Sequence, residues 1–88
     1  MKQNPDFIIT DVGEGHILVP VGKAAVNFKA IISLNDMGRT IWNMLENEIS
    51  AGEILKNILA EYEVSEAQAK ADIDSFLAKL RENGAIRG

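Results

Sequence analysis

The sequence predicts an α+β domain in which three antiparallel strands come first and three helices follow. Up to Ser33, apolar residues occur in short runs that are rich in β-branched and aromatic side chains and are separated by glycine. After Asn35, apolar residues recur at helical spacing to the end of the chain. The connections between the strand-like runs are short, which favours an antiparallel meander. A length of 88 residues fits a single domain, which we expect over residues 1–88.

The three strands are predicted over residues 7–12, 16–20 and 25–33. Gly13-Glu14-Gly15 separates the first two as a hairpin turn, because glycine adopts positive φ without steric cost. Gly22-Lys23 forms the turn before the third strand. This third strand can lie at an edge of the sheet, where its outer backbone groups have no neighbour.

Alternation along the third strand assigns its side chains to two faces. The core-facing set is Val26, Phe28, Ala30 and Ile32, and the outward set is Asn27, Lys29, Ile31 and Ser33. Ile31 is therefore an apolar residue on a mostly polar face. It can be covered by the first residues of the chain, by a dimer mate that pairs through the exposed sheet edge, or by a bound partner.

The helices are predicted over residues 36–46, 51–62 and 66–83, each with an apolar stripe. A residue with an N-capping side chain precedes each helix, and a glutamate or glutamine three residues later matches a capping box at the second and third. These positions are Asn35, Ser50 with Glu53, and Ser65 with Gln68. Trp42 is predicted as a core anchor, and Gly84 as the residue that ends the third helix.

The composition argues against several classes of partner and site. The net charge is −4 and the nine basic residues are scattered, so we expect no nucleic acid ligand. No apolar run approaches the ~20 residues of a membrane span. The absence of cysteine excludes disulfides and thiolate metal sites, and together with the lack of an apolar signal segment it favours the cytoplasm. No nucleotide-binding glycine motif is present, and we expect no cofactor.

Side chains suited to catalysis are scarce. His16 is the only histidine, and it lies in or beside the first hairpin turn. We interpret it as a surface polar residue, not as a general base or a metal ligand. The acidic pairs of the chain are more simply solvated charges. We therefore expect that the protein is not an enzyme.

One line of residues on the third helix leaves a binding role open. Lys70, Asp74, Leu77 and Arg81 recur at i, i+4, i+7 and i+11. This line is either a solvated flank of the helix or one wall of a groove. In the second case a peptide would contact Leu77, and the two basic side chains would select its charge.

Three segments of the sequence resemble the PqqD-like family, also known as the precursor-peptide recognition element. Val19-Pro20-Val21-Gly22 lies in the second hairpin, and residues 34–42, LNDMGRTIW, look like the entry to the first helix of that family. Glu61-Tyr62-Glu63-Val64-Ser65, with the apolar stripe that follows it, looks like the family's third-helix segment. The three segments together extend over nearly the whole chain.

The resemblance implies a winged helix–turn–helix-like fold and a non-catalytic peptide-binding adaptor. Such a domain binds the leader of a ribosomally made precursor peptide and presents it to a modifying enzyme, often a radical SAM maturase. In the family, the leader adds a strand beside the third strand, next to the third helix. The peptide-binding residues that we predict are Phe28, Lys29, Ile31, Ser33, Lys70, Asp74, Leu77 and Arg81. The basic members of this set would favour an acidic leader.

Two other functions remain as alternatives. A winged helix can enter the DNA major groove, so the chain could be a transcriptional regulator. The third helix argues against this, because its acidic residues outnumber its basic residues. The third possibility is a subunit that only stabilises a partner enzyme.

Overall fold

The structure contains two small sheets and four helices among the described residues. The computed structural model describes residues 1–26 and 31–88. The elements are β1 (Lys2–Gln3), β2 (Phe7–Val12), β3 (Gly15–Pro20), α1 (Lys23–Val26), β4 (Ile32–Leu34), α2 (Asp36–Met44), α3 (Ala51–Glu61), α4 (Glu66–Glu82) and β5 (Ile86–Arg87). A three-stranded antiparallel sheet followed by helices confirms the α+β prediction, and the winged helix–turn–helix-like arrangement stays a prediction.

The main sheet has the strand order β2-β3-β4, and both of its ladders are antiparallel. β2 and β3 pair from Phe7↔Pro20 to Val12↔Gly15, which leaves Gly13 and Glu14 as a two-residue loop. Gly13 has φ +54°, the positive value that a type II′ hairpin needs at its first loop position. The predicted hairpin is therefore confirmed, with its turn at the predicted place.

The predicted third strand, over residues 25–33, is only partly correct. Residues 23–26 form the short helix α1, and the strand begins at Ile32. Val26, predicted in the core, is 83% exposed. The reason is local. Gly22 takes φ +57°, and the amides of Ala24 and Ala25 donate to the carbonyls of Val21 and Gly22. Alanine is also a strong helix former, so this segment forms a helical turn. The face assignments of Asn27, Phe28, Lys29 and Ala30 lie outside the described residues.

The helices begin at the predicted caps. The Asn35 side chain accepts a hydrogen bond from the Gly38 amide (2.8 Å) at the start of α2. Ser50 and Glu53 form a complete capping box at α3. At α4 only half of the box forms: the Gln68 amide donates to Ser65 Oγ (3.1 Å), but the Gln68 side chain donates to Asp72 four residues later (2.8 Å) and does not accept from the Ser65 amide.

The C-terminus of α4 closes with a Schellman motif, as the position of Gly84 predicted. Gly84 has φ +73°, and its amide donates to the Arg81 carbonyl (3.1 Å). The amide of Ala85 donates to the Leu80 carbonyl (2.8 Å). These are the two bonds that satisfy orphan carbonyls at a helix end and turn the chain back.

One apolar core joins the inner face of the sheet to α2, α3 and α4. Trp42 is 2% exposed, which confirms it as a core anchor, and Met37 and Met44 pack partly buried against the core. The buried members are Phe7, Leu18, Ile32, Leu34, Ile41, Trp42, Leu45, Ile54, Ile58, Ala69, Ile73, Leu77, Leu80, Ala85 and Ile86. The described residues include no buried charged side chain.

A second, two-stranded sheet was not predicted. β1 pairs antiparallel with β5 through Lys2↔Arg87 and Gln3↔Ile86. Gln3 also completes the end of α2: its amide donates to the Leu45 carbonyl (2.8 Å), and its side-chain Nε2 donates to the Trp42 carbonyl (2.7 Å). Such short strands give no periodic signal, so only the folded chain reveals the pair. Among the described helices, none has the length and apolar character that crossing a bilayer requires.

Candidate peptide-binding site

Among the described strands, β4 is an edge strand that is paired on one side only. It pairs with β3 through Leu18↔Ile32, Ile17↔Ser33 and His16↔Leu34, and no described strand lies beyond it. In an antiparallel ladder only alternate residues turn their N–H and C=O groups toward the neighbouring strand. The other groups of β4 therefore point away from the sheet, where an added strand can pair with them.

Side chains along this edge follow the predicted alternation. Ile32 and Leu34 are 1% and 4% exposed and belong to the core. Ile31 is 53% exposed, and Ser33 is exposed as well. The prediction that Ile31 and Ser33 face outward is therefore confirmed, whereas their contact with a peptide stays a prediction.

The α4 residues of the predicted site do not share one environment. Lys70, Asp74 and Arg81 are exposed, and Arg81 Nη2 donates to the Gly88 carbonyl (3.3 Å). Leu77 is 4% exposed and belongs to the core, which corrects its assignment as an apolar contact on an open wall. Leu77 follows Ile73 by one helical turn, and it borders both the polar line and the core stripe. Because the burial of an apolar side chain is favourable, Leu77 takes the core position and not the position on the polar line.

The end of β4, the start of α2 and the middle of α4 meet at Gly38. A Cβ at this glycine would lie 3.5 Å from Leu34 Cβ and 3.4 Å from Phe76 Cε1. A cavity of about 300 Å³ opens beside this meeting point. Its lining residues are Asn35, Met37, Gly38, Ile41, Asp72 and Phe76. Gly38 lies within the family-like segment at residues 34–42, and no local pattern in the sequence indicates that it lies against Phe76.

A second, smaller cleft adjoins the edge at its other end. It has a volume of about 220 Å³ and is lined by Val19, Pro20, Ala25 and Ile31. All four side chains are apolar, and Ile31 comes directly before β4. The residues that connect α1 to Ile31 lie outside the described ranges, and these four residues are the described lining of the cleft.

His16 connects the hairpin to α2. Its side chain is 12% exposed, with Nδ1 2.6 Å from Asp11 Oδ1 and Nε2 3.3 Å from Asp36 Oδ1. His16 is thus a polar residue near the surface, as predicted, but its ring is partly covered where it meets these two carboxylates. The hydrogen bond from His16, together with the Arg39 guanidinium 3.8 Å away, lowers the pKa of the Asp11 carboxyl.

The contacts of His16 join two elements of the fold. Its two ring nitrogens lie within hydrogen-bond distance of carboxylate oxygens, Nδ1 of Asp11 and Nε2 of Asp36. Within residues 1–26 and 31–88, no group of three His, Cys, Asp or Glu side chains could hold a metal ion. The histidine cluster fastens the hairpin to α2 beside the end of β4.

The fold and the site define a class: a small α+β domain with a long helix, α4, in which the described strands leave one side of β4 unpaired. A family model described as coenzyme PQQ synthesis protein D (PqqD) matches residues 15–86. The chain belongs to this family. The match runs from β3 into β5 and so contains the edge strand and α4.

Two solved structures are similar over nearly the whole chain. "TbiB1 in Complex with the TbiA(beta) Leader Peptide" has a TM-score of 0.78 and 24% identity, and the alignment covers 100% of this chain and 96% of that one. "Lasso peptide synthetase B1 complexed with the leader peptide" has a TM-score of 0.74 and 24% identity, with 99% and 96% covered. At this identity they establish the shared fold. The search of curated proteins finds no match.

Proposed function

We propose that this protein is a non-catalytic adaptor that binds the leader of a ribosomally synthesised precursor peptide and presents it to a modifying enzyme such as a radical SAM maturase. The leader adds to the sheet as a strand beside β4. The observation that carries this proposal is the side of β4 (Ile32–Leu34) with which no described strand pairs. Both similar solved structures are described as complexes with a leader peptide, and membership of the PqqD family supports the same role.

Strand addition explains how so small an edge can bind a peptide. Backbone hydrogen bonds to β4 would supply affinity, and side-chain contacts would fix the register of the peptide. On the outer side, alternate peptide side chains would pass Ile31 and Ser33, which are exposed. The apolar cleft between Ile31 and Val19 lies where such a side chain would contact the sheet.

α4 provides the second wall of the proposed site. Lys70, Asp74 and Arg81 are exposed along it, so two cations and one anion can meet the peptide. We expect an acidic leader to bind more tightly than its neutral analogue, with a preference that weakens in salt. Leu77 lies behind this wall and would support it from the core. Phe28 and Lys29 remain proposed contacts from outside the described residues.

The absence of chemistry at the site fits an adaptor better than an enzyme. The chain has no cysteine, and its one histidine is held between two aspartates. DNA binding gains no support, because the exposed acidic residues of α4 outnumber its exposed basic ones: Glu66, Asp72, Asp74 and Glu82 against Lys70, Lys79 and Arg81. A subunit that only stabilises an enzyme would copurify with it and would show no affinity for the peptide.

The proposal is tested by measuring the affinity of a fluorescently labelled leader peptide. The peptide is a synthetic leader from the precursor that the proposal requires in the same genome, and a scrambled sequence is the control. Ile31→Glu should weaken binding about tenfold, since it places a charge on the apolar part of the edge. Ala60→Glu adds the same charge at an exposed position on α3 and should leave the affinity unchanged. Equal affinity for the leader and its scrambled form would refute the function.

A further inference from the structure

The outer face of the main sheet is apolar and free of charge. The side chains on this face alternate with the buried ones along all three strands. They are Ile8, Thr10 and Val12 on β2, Ile17 and Val19 on β3, and Ser33 on β4, with Ile31 just before it. None of them is charged, although 25% of the chain is. We call these seven residues the outer sheet face.

This face is open in the structure. Ile8 is 49% exposed, Val12 46% and Ile31 53%, and these are three of the four large hydrophobic residues exposed in the described part of the chain. A solvated face of an antiparallel sheet normally carries polar side chains in alternation with the buried ones. An apolar patch that departs from this pattern usually marks an interaction site.

The size of the face argues against a second copy of this chain as its occupant. The exposed apolar area is on the order of a few hundred Å². A stable dimer buries roughly 800 Å² per partner, so this face alone is too small for one. It is large enough for the centre of an interface that includes further surface.

That further surface is supplied by the peptide under the proposed function, on which this inference rests. A strand added beside β4 would extend the same sheet, and its alternate side chains would emerge next to Ile31 and Ser33. A protein resting on the outer sheet face would then touch the domain and the peptide together. The component that must recognise both is the enzyme that modifies the peptide.

We propose that the outer sheet face docks the modifying enzyme, and that this enzyme contacts the domain and its bound leader as one continuous surface. Ile8 and Val12 lie on β2, with β3 between them and the peptide edge. They can therefore be changed without touching the leader. By linkage, the enzyme binds the loaded domain more tightly than the free domain, and it raises the affinity for the leader by the same factor.

The test uses the purified 88-residue chain, the synthetic leader and the purified modifying enzyme that the proposed function requires. Ile8→Glu should weaken enzyme binding by about tenfold or more, because it places a charge on the apolar face that the enzyme would cover. The same variant should bind the leader within about twofold of wild type. Ala60→Glu is the matched control and should bind both as wild type does. If Ile8→Glu fails to fold, Val12→Thr keeps the β-branched shape and carries the test.

The outcomes separate this inference from the function on which it rests. If the wild type does not bind the leader, the proposed function is wrong and the inference falls with it. If the leader binds but Ile8→Glu holds the enzyme as tightly as Ala60→Glu does, only the docking face is wrong. Equal enzyme affinity for free and loaded wild type would refute the joint surface. A wild-type dimer in sedimentation that Ile8→Glu dissociates would assign the face to a second copy instead.

Discussion

The two faces of the main sheet carry similar apolar residues but differ in solvent exposure. The inner face, with Leu18 and Ile32, is covered by α2, α3 and α4 and is 0–1% exposed at these positions. The outer face, with Ile8 and Ile31, remains about half exposed. Leucine and isoleucine on one sheet therefore contribute to stability on one side and remain available for binding on the other. The difference lies in what packs against each face, not in the side chains.

The largest effect should come from truncation of the inner face. Leu18→Ala removes a fully buried side chain and should lower the free energy of unfolding by about 2–5 kcal/mol. Ile17→Ala, at the next position on the outer face, should cost about 1 kcal/mol, because part of its side chain is already in water. Urea denaturation of both variants measures this contrast. Similar losses would mean that the outer face is also packed.

Gly38 tests whether the inner face, α2 and α4 are as tightly joined as the distances indicate. Gly38→Ala should lower the free energy of unfolding by about 1 kcal/mol, although alanine is the better helix former. The new Cβ would lie 3.3 Å from the Asn35 oxygen that caps α2, and neither this oxygen nor Phe76 can retreat without loss.

Gly52→Ala is the matched control for this substitution. Gly52 lies in the first turn of α3, and its nearest neighbour to a new Cβ is Ser50 Oγ at 3.9 Å. With that space, the alanine should raise the free energy of unfolding by about 0.5 kcal/mol. If both substitutions stabilise the protein, the contact between Gly38 and Phe76 is looser than described.

The smallest predicted effect concerns pH and the cluster that ties the hairpin to α2. The pKa of Asp11 is lowered in the folded protein by the hydrogen bond from His16 and by Arg39, so the unfolded chain binds a proton more readily. The ionised Asp11 carboxylate therefore stabilises the fold fully above the ordinary aspartate pKa of about 3.9, and this stabilisation is lost as pH falls through the lowered pKa. The stability gap between wild type and Asp11→Asn should shrink as pH falls from about 5 to about 3.

Asp74→Asn provides the control for this experiment. Asp74 is exposed on α4 and forms no ion pair with another described residue. Its substitution should not reproduce the pH dependence. A gap for Asp11→Asn that stays constant across this range would show that the carboxylate does not stabilise the fold through its charge.

Local signals predicted most of the fold. The caps at Asn35 and Ser50 and the C-terminal glycine at 84 are short-range motifs whose partners lie within a few residues, and each forms as expected. The third strand was placed too early because alternation and a short helical turn both fit residues 25 and 26. The β1–β5 pair joins residues that are far apart in sequence, and no local pattern reports it.

The candidate site shows the same division. Alternation gave the outward position of Ile31 and Ser33, because a strand turns every second side chain the same way. The burial of Leu77 and the enclosure of His16 depend on what packs against them from other elements. The periodicity of the sequence alone does not indicate such contacts between elements. The unpaired side of β4 likewise depends on the order of the described strands, and short connections in the sequence favour this order without fixing it.

Amide hydrogen exchange, followed by NMR in free and leader-loaded protein, tests strand addition beside β4 most directly. If the leader pairs with the free side, amides between Ile31 and Leu34 that point away from β3 should exchange more slowly when it is bound. Amides of α3, on another side of the core, should exchange as in the free protein. Saturating leader that leaves residues 31–34 unchanged, or that protects α3 instead, would contradict the account.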